Sequence, residues 1–295
     1  MDQAPHLHVD AYEVTLEDIG TADLDRLHAL SMGVNWPHRA DDWRMLLDLG
    51  SGLVAVDEIG RVIGSAMWFH YEPDVTVIGM MITTPRLQEL GAGRRLLTEV
   101  LARNQGRRCV LTATHGGKRL YRSLGFGFER PIHQCQGEAI APPPLVLAPG
   151  DTLRPVGPDD FVALLAFETE AIGYRRPALL HRLLAGSTGV ALMREGRIAA
   201  MSLCRRFGRG HVVGPLYAAT DADAIAVLTP HVEAHAGRFL RTDTPEVGGD
   251  YTRFIADCGL LVFDIVWSMG LQAPAFTSVV PDGIRRYGLA SQALG

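Results

Sequence analysis

The chain has 295 residues, 47% of them hydrophobic and 21% charged, which excludes a disordered polymer and leaves enough apolar material for a sizeable core. At about 100–200 residues per domain, the length corresponds to two domains or one large one. A formal net charge of −5 argues against a nucleic-acid surface, which needs a basic face, and leans towards a small cationic substrate.

In chain order, the N-terminal stretch MDQAPHLHVDAYEV lacks the charged region and apolar core of a secretory signal. Helix-like material follows in LEDIGTADLDRLHAL and DDWRMLLDLG. A hairpin from Leu53, LVAVDEIGRVIGSAMWF, turns at Gly60-Arg61, and a third strand, VTVIGMMI, begins at Val75. Then come the loop QELGAG, a helix in GRRLLTEVLARNQ, a strand in RCVLTAT, a short helix in GKRLYRSLG and a closing strand in FGFERPIHQC. The proline-rich segment APPPLVLAPGD, residues 141–151, reads as a linker.

Beyond the linker the pattern repeats. PDDFVALLAFETEAI and ALLHRLLAG supply helices, and VALMREGRIAAMSLCRRF turns at Gly196-Arg197, 136 residues after Gly60. The same offset lays HVVGPLYA over VTVIGMMI. ADAIAVLTPHVEAHA, RFLRTD, DYTRFIADCG and LLVFDIVWSM complete a second copy. The apolar run GLLVFDIVWSMGL is interrupted by Asp264 and falls short of the roughly 18 residues of a membrane span. Cys109, Cys135, Cys204 and Cys258 stand singly in mostly apolar runs without C-x-x-C spacing, as buried reduced thiols do. A cytoplasmic protein is expected.

The loop QELGAG carries chemistry. Glycines between a strand and a helix let a ligand approach the backbone, and the first amides of the helix have no internal partners and attract anions. Arg86, Arg94 and Arg95 add positive charge. A dinucleotide fingerprint would need a third glycine where Leu96 stands, and a Walker loop would need Lys after Gly93, where Arg94 stands.

The remaining pattern, Q-x-x-G-x-G on Gln88, Gly91 and Gly93, lies between MMITTP and a later YRSLGF. With these residues the chain resembles the GNAT superfamily of acyl-CoA-dependent N-acyltransferases. The resemblance implies an α/β fold, more closely an α+β mixed sheet, in two tandem GNAT-like domains. Each would be a mostly antiparallel sheet with splayed middle strands flanked by helices. Residues 1–140 would bind acetyl-CoA and catalyse, 141–151 would link, and 152–295 would form a degenerate second domain.

Carried over by position, Ile82, Thr83 and Thr84 would line the pantetheine arm. Gln88, Glu89, Leu90, Gly91, Ala92, Gly93 and Arg94 would cradle the pyrophosphate. Tyr121 would protonate the departing thiolate; the competing reading packs it beside Leu120 and Leu124 in an amphipathic helix. The implied reaction is acetyl transfer from acetyl-CoA to a primary amine of a small molecule in a ternary complex, with no metal, nucleic acid or membrane. A homodimer is the candidate assembly. A non-catalytic acyl-CoA-binding sensor or structural module is the alternative.

The offset replaces Gln88, Gly91 and Gly93 by Ala224, Val227 and Thr229, and aligning YRSLGF with IADCGL puts Ile255 opposite Tyr121, so one coenzyme site is expected. The strand before the loop lacks the glutamate that some relatives use as base. His70, Glu72, Asp74, His115, Asp243, Glu246 and Asp250 are nearby candidates. Asn35, Trp36, His38 and Glu72 are assigned to the acceptor side, with Trp43 poised between stacking and packing.

Overall fold

The first hairpin turns where Asp57 gathers the loop: its carboxylate accepts bonds from the Ile59 and Arg61 amides, and Gly60 takes a positive φ of 77°. Gly196 does the same, at φ 75°, in the second hairpin. The computed structural model describes residues 6–9, 12–85, 91–272 and 283–295. Strands β1 (His6–Val9), β2 (Tyr12–Asp18), β3 (Ser51–Asp57), β4 (Val62–Tyr71) and β5 (Val75–Thr83) form an antiparallel meander. Helices α1 (Leu24–Gly33) and α2 (Ala40–Leu49) interrupt it after β2. The opening of LEDIGTADLDRLHAL is therefore strand, and the helix begins only after Asp23, whose carboxylate accepts from the Arg26 amide.

Helix α3 (Ala92–Arg103) crosses to β6 (Arg108–Ala113), which runs parallel to β5, and buries Leu96, Leu97 and Val100 on one face. Then come α4 (Lys118–Ser123) and β7 (Gly127–Glu138). The second half repeats the series as β8 (Thr152–Val156), α5 (Phe161–Ile172), α6 (Pro177–Gly186), β9 (Ser187–Arg194), β10 (Arg197–Phe207) and β11 (Gly210–Ala218). Helix α7 (Asp221–Ala234), β12 (Phe239–Thr244), α8 (Gly249–Asp257) and β13 (Leu261–Leu271) complete it. A last strand, β14 (Arg285–Gly288), has no counterpart in the first half.

Among the described residues all fourteen strands belong to one sheet, in the order β1-β2-β3-β4-β5-β6-β13-β7-β12-β11-β10-β9-β8, with β14 on β11. The repeat gives each half its own closing strand, but the structure exchanges them. β13 lies between β6 and β7, while β7 lies between β13 and β12. The two long strands thus cover the edges of β6 and β12 and pair with each other.

The core is shared as well. One cluster joins Trp43, Met67 and Phe69 of the first half to Leu180, Tyr217 and Leu294 of the second. Leu145 and Leu147, in the segment before β8, pack on a second cluster built mostly of second-half residues together with Cys135 and Ala139.

Candidate active site

The β4–β5 register carries an extra residue on β5: Ser65 faces Ile82 whereas Met67 faces Gly79. Met80, inside this bulge, has a positive φ of 49°, unusual for a side-chain-bearing residue, and the Ser65 hydroxyl donates to its carbonyl at 2.7 Å. β5 pairs with β6 only from Val75 to Ile78, after which the strands part. A cavity of about 350 Å³ opens there, with Ile78 to Met81 on one wall and Thr112 and Thr114 on the other.

Ile82 is buried and Thr83 and Thr84 are partly buried, and the Thr84 amide is taken by the Ile63 carbonyl. Gly91 caps α3 at φ 90°, with open space around an added Cβ, no side-chain cap bond and no acid in the first turn. The Ala92, Gly93 and Arg94 amides therefore start the helix without a side-chain acceptor among the described residues. A Cβ on Gly93 would touch Leu120 and Thr83 only at ordinary contact distances, 3.4 and 3.6 Å. Arg94 donates to Ser123 of α4 at 2.7 Å. Gln88, Glu89 and Leu90 lie outside the described residues.

Tyr121 lines the cavity from α4, 7% exposed, with its ring edge-on to Phe126 at 6.0 Å. Burial pushes its hydroxyl up to about 12, so it keeps its proton at neutral pH.

Of the residues expected on the acceptor side, Asn35, Trp36 and His38, from the loop between α1 and α2, line the same cavity. The His38 ring stands edge-on to Phe207 at 5.2 Å, and its Nδ1 is buried with no partner among the described residues. Burial pushes the imidazole down to about 4, against Asp42 and with Arg241 and Arg205, so it is neutral. Trp43 is fully buried with its Nε1 donating to Ser31, a packing anchor. Glu72 stands apart, exposed and paired with Arg175 at 3.0 Å, so the structure does not bring it to the acceptor side. His70 meets Asn104, and Asp250 pairs on the surface with Arg253. Glu246 faces Arg285, while Asp243 does reach the cavity.

Side chains with no local sequence signal complete the cavity: Gln134 and Gln136 on the first half's exchanged β7, and, from the second half, Arg205 and Phe207 at the end of β10 and Arg241 on β12. Residues Ala290 to Ala293 run along another wall, and a Cβ on Gly79 would collide with the Ala293 carbonyl at 2.5 Å.

The corresponding slot in the second half is filled. β11 and β12 pair from His211 to Val213, and beyond that β14 pairs with β11, through Leu216 to Ala218. The fully buried Tyr287 of β14 stacks edge-on with Tyr251 and donates to Asp221 at 2.7 Å. Thr220 caps α7, Asp221 accepts from the Tyr251 amide, and Asp223 is held by Arg194. Acids and a protein strand thus occupy the second half's counterparts of the open helix start and strand splay, and Ile255 is buried core.

Two family models, each described as an acetyltransferase (GNAT) domain, match residues 48–127 and 164–278. The chain belongs to the GNAT acetyltransferases. Its two GNAT domains mark it as a tandem member and an acyltransferase. A presumptive acetyltransferase of Pyrococcus horikoshii is similar over 100% of this chain and 99% of its own, at 19% identity and TM-score 0.78. A GCN5-related N-acetyltransferase of Sphaerobacter thermophilus matches 88% of this chain and 95% of its own, at 16% identity and TM-score 0.63. A tandem GNAT protein from the clavulanic acid biosynthesis pathway matches 90% and 99%, at 14% identity and TM-score 0.62. At these identities the likeness is one of fold. No curated protein matches the chain in sequence.

Proposed function

We propose that the chain transfers an acetyl group from acetyl-CoA to the primary amine of a small molecule, by direct attack in a ternary complex at a single site in the first half. The observation that carries this reading is the cavity itself, which joins the splay of β5 and β6, Tyr121 and the loop of Asn35, Trp36 and His38 in one space. The amides of Ala92 to Arg94, without a side-chain acceptor among the described residues, and a slot beside Met80 suit the pyrophosphate and arm of acetyl-CoA. The thioester it brings is the activated acyl group.

In the transfer an N–C bond forms and the C–S bond breaks. The departing sulfur takes a proton from the Tyr121 Oη, held there by burial, and the proton that the amine nitrogen loses passes to bulk water, which returns one to the tyrosine. The unpartnered His38 Nδ1 accepts a hydrogen bond from the entering neutral amine and orients its lone pair. No cysteine lines the cavity among the described residues, and burial raises the thiols, pushing Cys109 up to about 11, which favours direct attack over an acyl-cysteine route.

The test is coenzyme A release across an amine panel. Tyr121→Phe is expected to lower kcat by about 10²–10⁴-fold while acetyl-CoA binding stays unchanged. Below the acceptor's own pKa, kcat/KM should rise about tenfold per pH unit, following the free amine. Tight acetyl-CoA binding with no turnover on any amine would instead favour the sensor reading.

A further inference from the structure

Resting on the transferase reading above, we infer that the acceptor is a small amine that also carries an anionic oxygen group, carboxylate or phosphate, and that Arg205 receives that group. Arg205 is 6% exposed and lines the cavity from the end of β10. Its NH2 donates to the Ala290 carbonyl at 3.1 Å and its NH1 only distantly to the Arg206 carbonyl, while Nε is buried with no partner among the described residues. A buried guanidinium with an idle donor is costly unless an acceptor arrives with the ligand.

The neighbouring carboxylates are already engaged. Asp42 takes the Arg39 guanidinium and amide and stands 4.0 Å from Arg205. Asp243 is held by Arg241 through both oxygens, at 2.9 and 2.7 Å. Three guanidiniums, of Arg39, Arg205 and Arg241, thus face two carboxylates, while the exposed Arg209 and the exposed Asp264, one charge of each sign, also line the cavity. One positive charge is left unmatched deep in the acceptor side. The whole chain's charge of −5 favours a cationic acceptor, but this local field does not.

The amine and the anion would be read by different groups. The nitrogen approaches His38 and the thioester end of the slot by Tyr121, and the oxygens sit on Arg205 beside Phe207, whose ring lies 5.1 Å from the guanidinium carbon. A cavity of about 350 Å³, shared with the acyl end, admits a molecule of amino-acid size.

The experiment compares matched pairs in the acetylation assay: L-amino acids against their amides, and phosphoethanolamine against ethanolamine, with spermidine as the cationic control. One anionic member is expected to exceed its uncharged partner by about 10–100-fold in kcat/KM, and the winning pair tells carboxylate from phosphate. Arg205→Met should raise KM for that anionic substrate alone, and Arg205→Lys should recover part of the preference. Wild-type selectivity needs no variant, so a misfolded Arg205→Met does not blunt the test. Equal or better use of amides, ethanolamine or spermidine would overturn the inference, as would acetyl-CoA binding without transfer to either pair. Failure to bind acetyl-CoA would overturn the transferase reading itself.

Discussion

His38 is neutral because the folded chain buries it beside Arg205 and Arg241, whereas in the unfolded chain it titrates near its ordinary 6.5. Between pH 6.5 and about 4 the unfolded state binds the extra proton, so stability present above 6.5 is lost as pH falls through that window. His231, also pushed down to about 4 by burial, contributes a similar slope. His38→Asn should therefore flatten the acid limb of a urea-denaturation series by on the order of 3 kcal/mol between pH 7 and 4. Parallel curves for the two proteins would contradict the assignment. The sequence pointed to Tyr121, His38 and Asp243 through their neighbourhoods. Arg205 carried no such signal, because a single arginine at a strand end looks like any solvated edge until the fold brings Asp42 and Ala290 beside it.

The two halves build the same pair of parting strands, yet only one pair is open. At β5 and β6 the bulge at Met80 leaves a slot, while at β11 and β12 the β14 segment closes it. Gly214 permits that closure: a Cβ there would lie 1.8 Å from the Leu289 carbonyl. Gly214→Ala should cost about 1–3 kcal/mol by overpacking, measured by denaturation. Because the chain after Leu289 also walls the cavity, the variant should raise the acceptor KM and leave acetyl-CoA affinity unchanged. Hairpins, crossover helices and the lost second loop were legible in the sequence, since alternation and glycine turns are local. β14 was not, because RRYG is too short to show a period and its role depends on a slot formed far away in the chain.

Exchange of β7 and β13 makes the two halves one unit. Neither strand's sequence names its partner, since a closing strand pairs equally well by pattern with either edge; the pairing is non-local. Residues 1–140 produced alone would lack β13, exposing the edge of β6, and would aggregate or pair with another copy. Size-exclusion chromatography of that fragment should therefore show no stable monomer, and the whole chain should unfold in one transition; a folded, monomeric fragment would contradict this. The first half nevertheless holds the turn proposed to bind phosphate, and the second closes its equivalent. Isothermal titration with acetyl-CoA, on wild type and Gly91→Glu, tests this most directly. The substitution strains a backbone at φ 90° and places a carboxylate at the start of α3. One site per chain, abolished by Gly91→Glu, is the predicted result. Two sites, binding that survives the substitution, or no binding at all would contradict it.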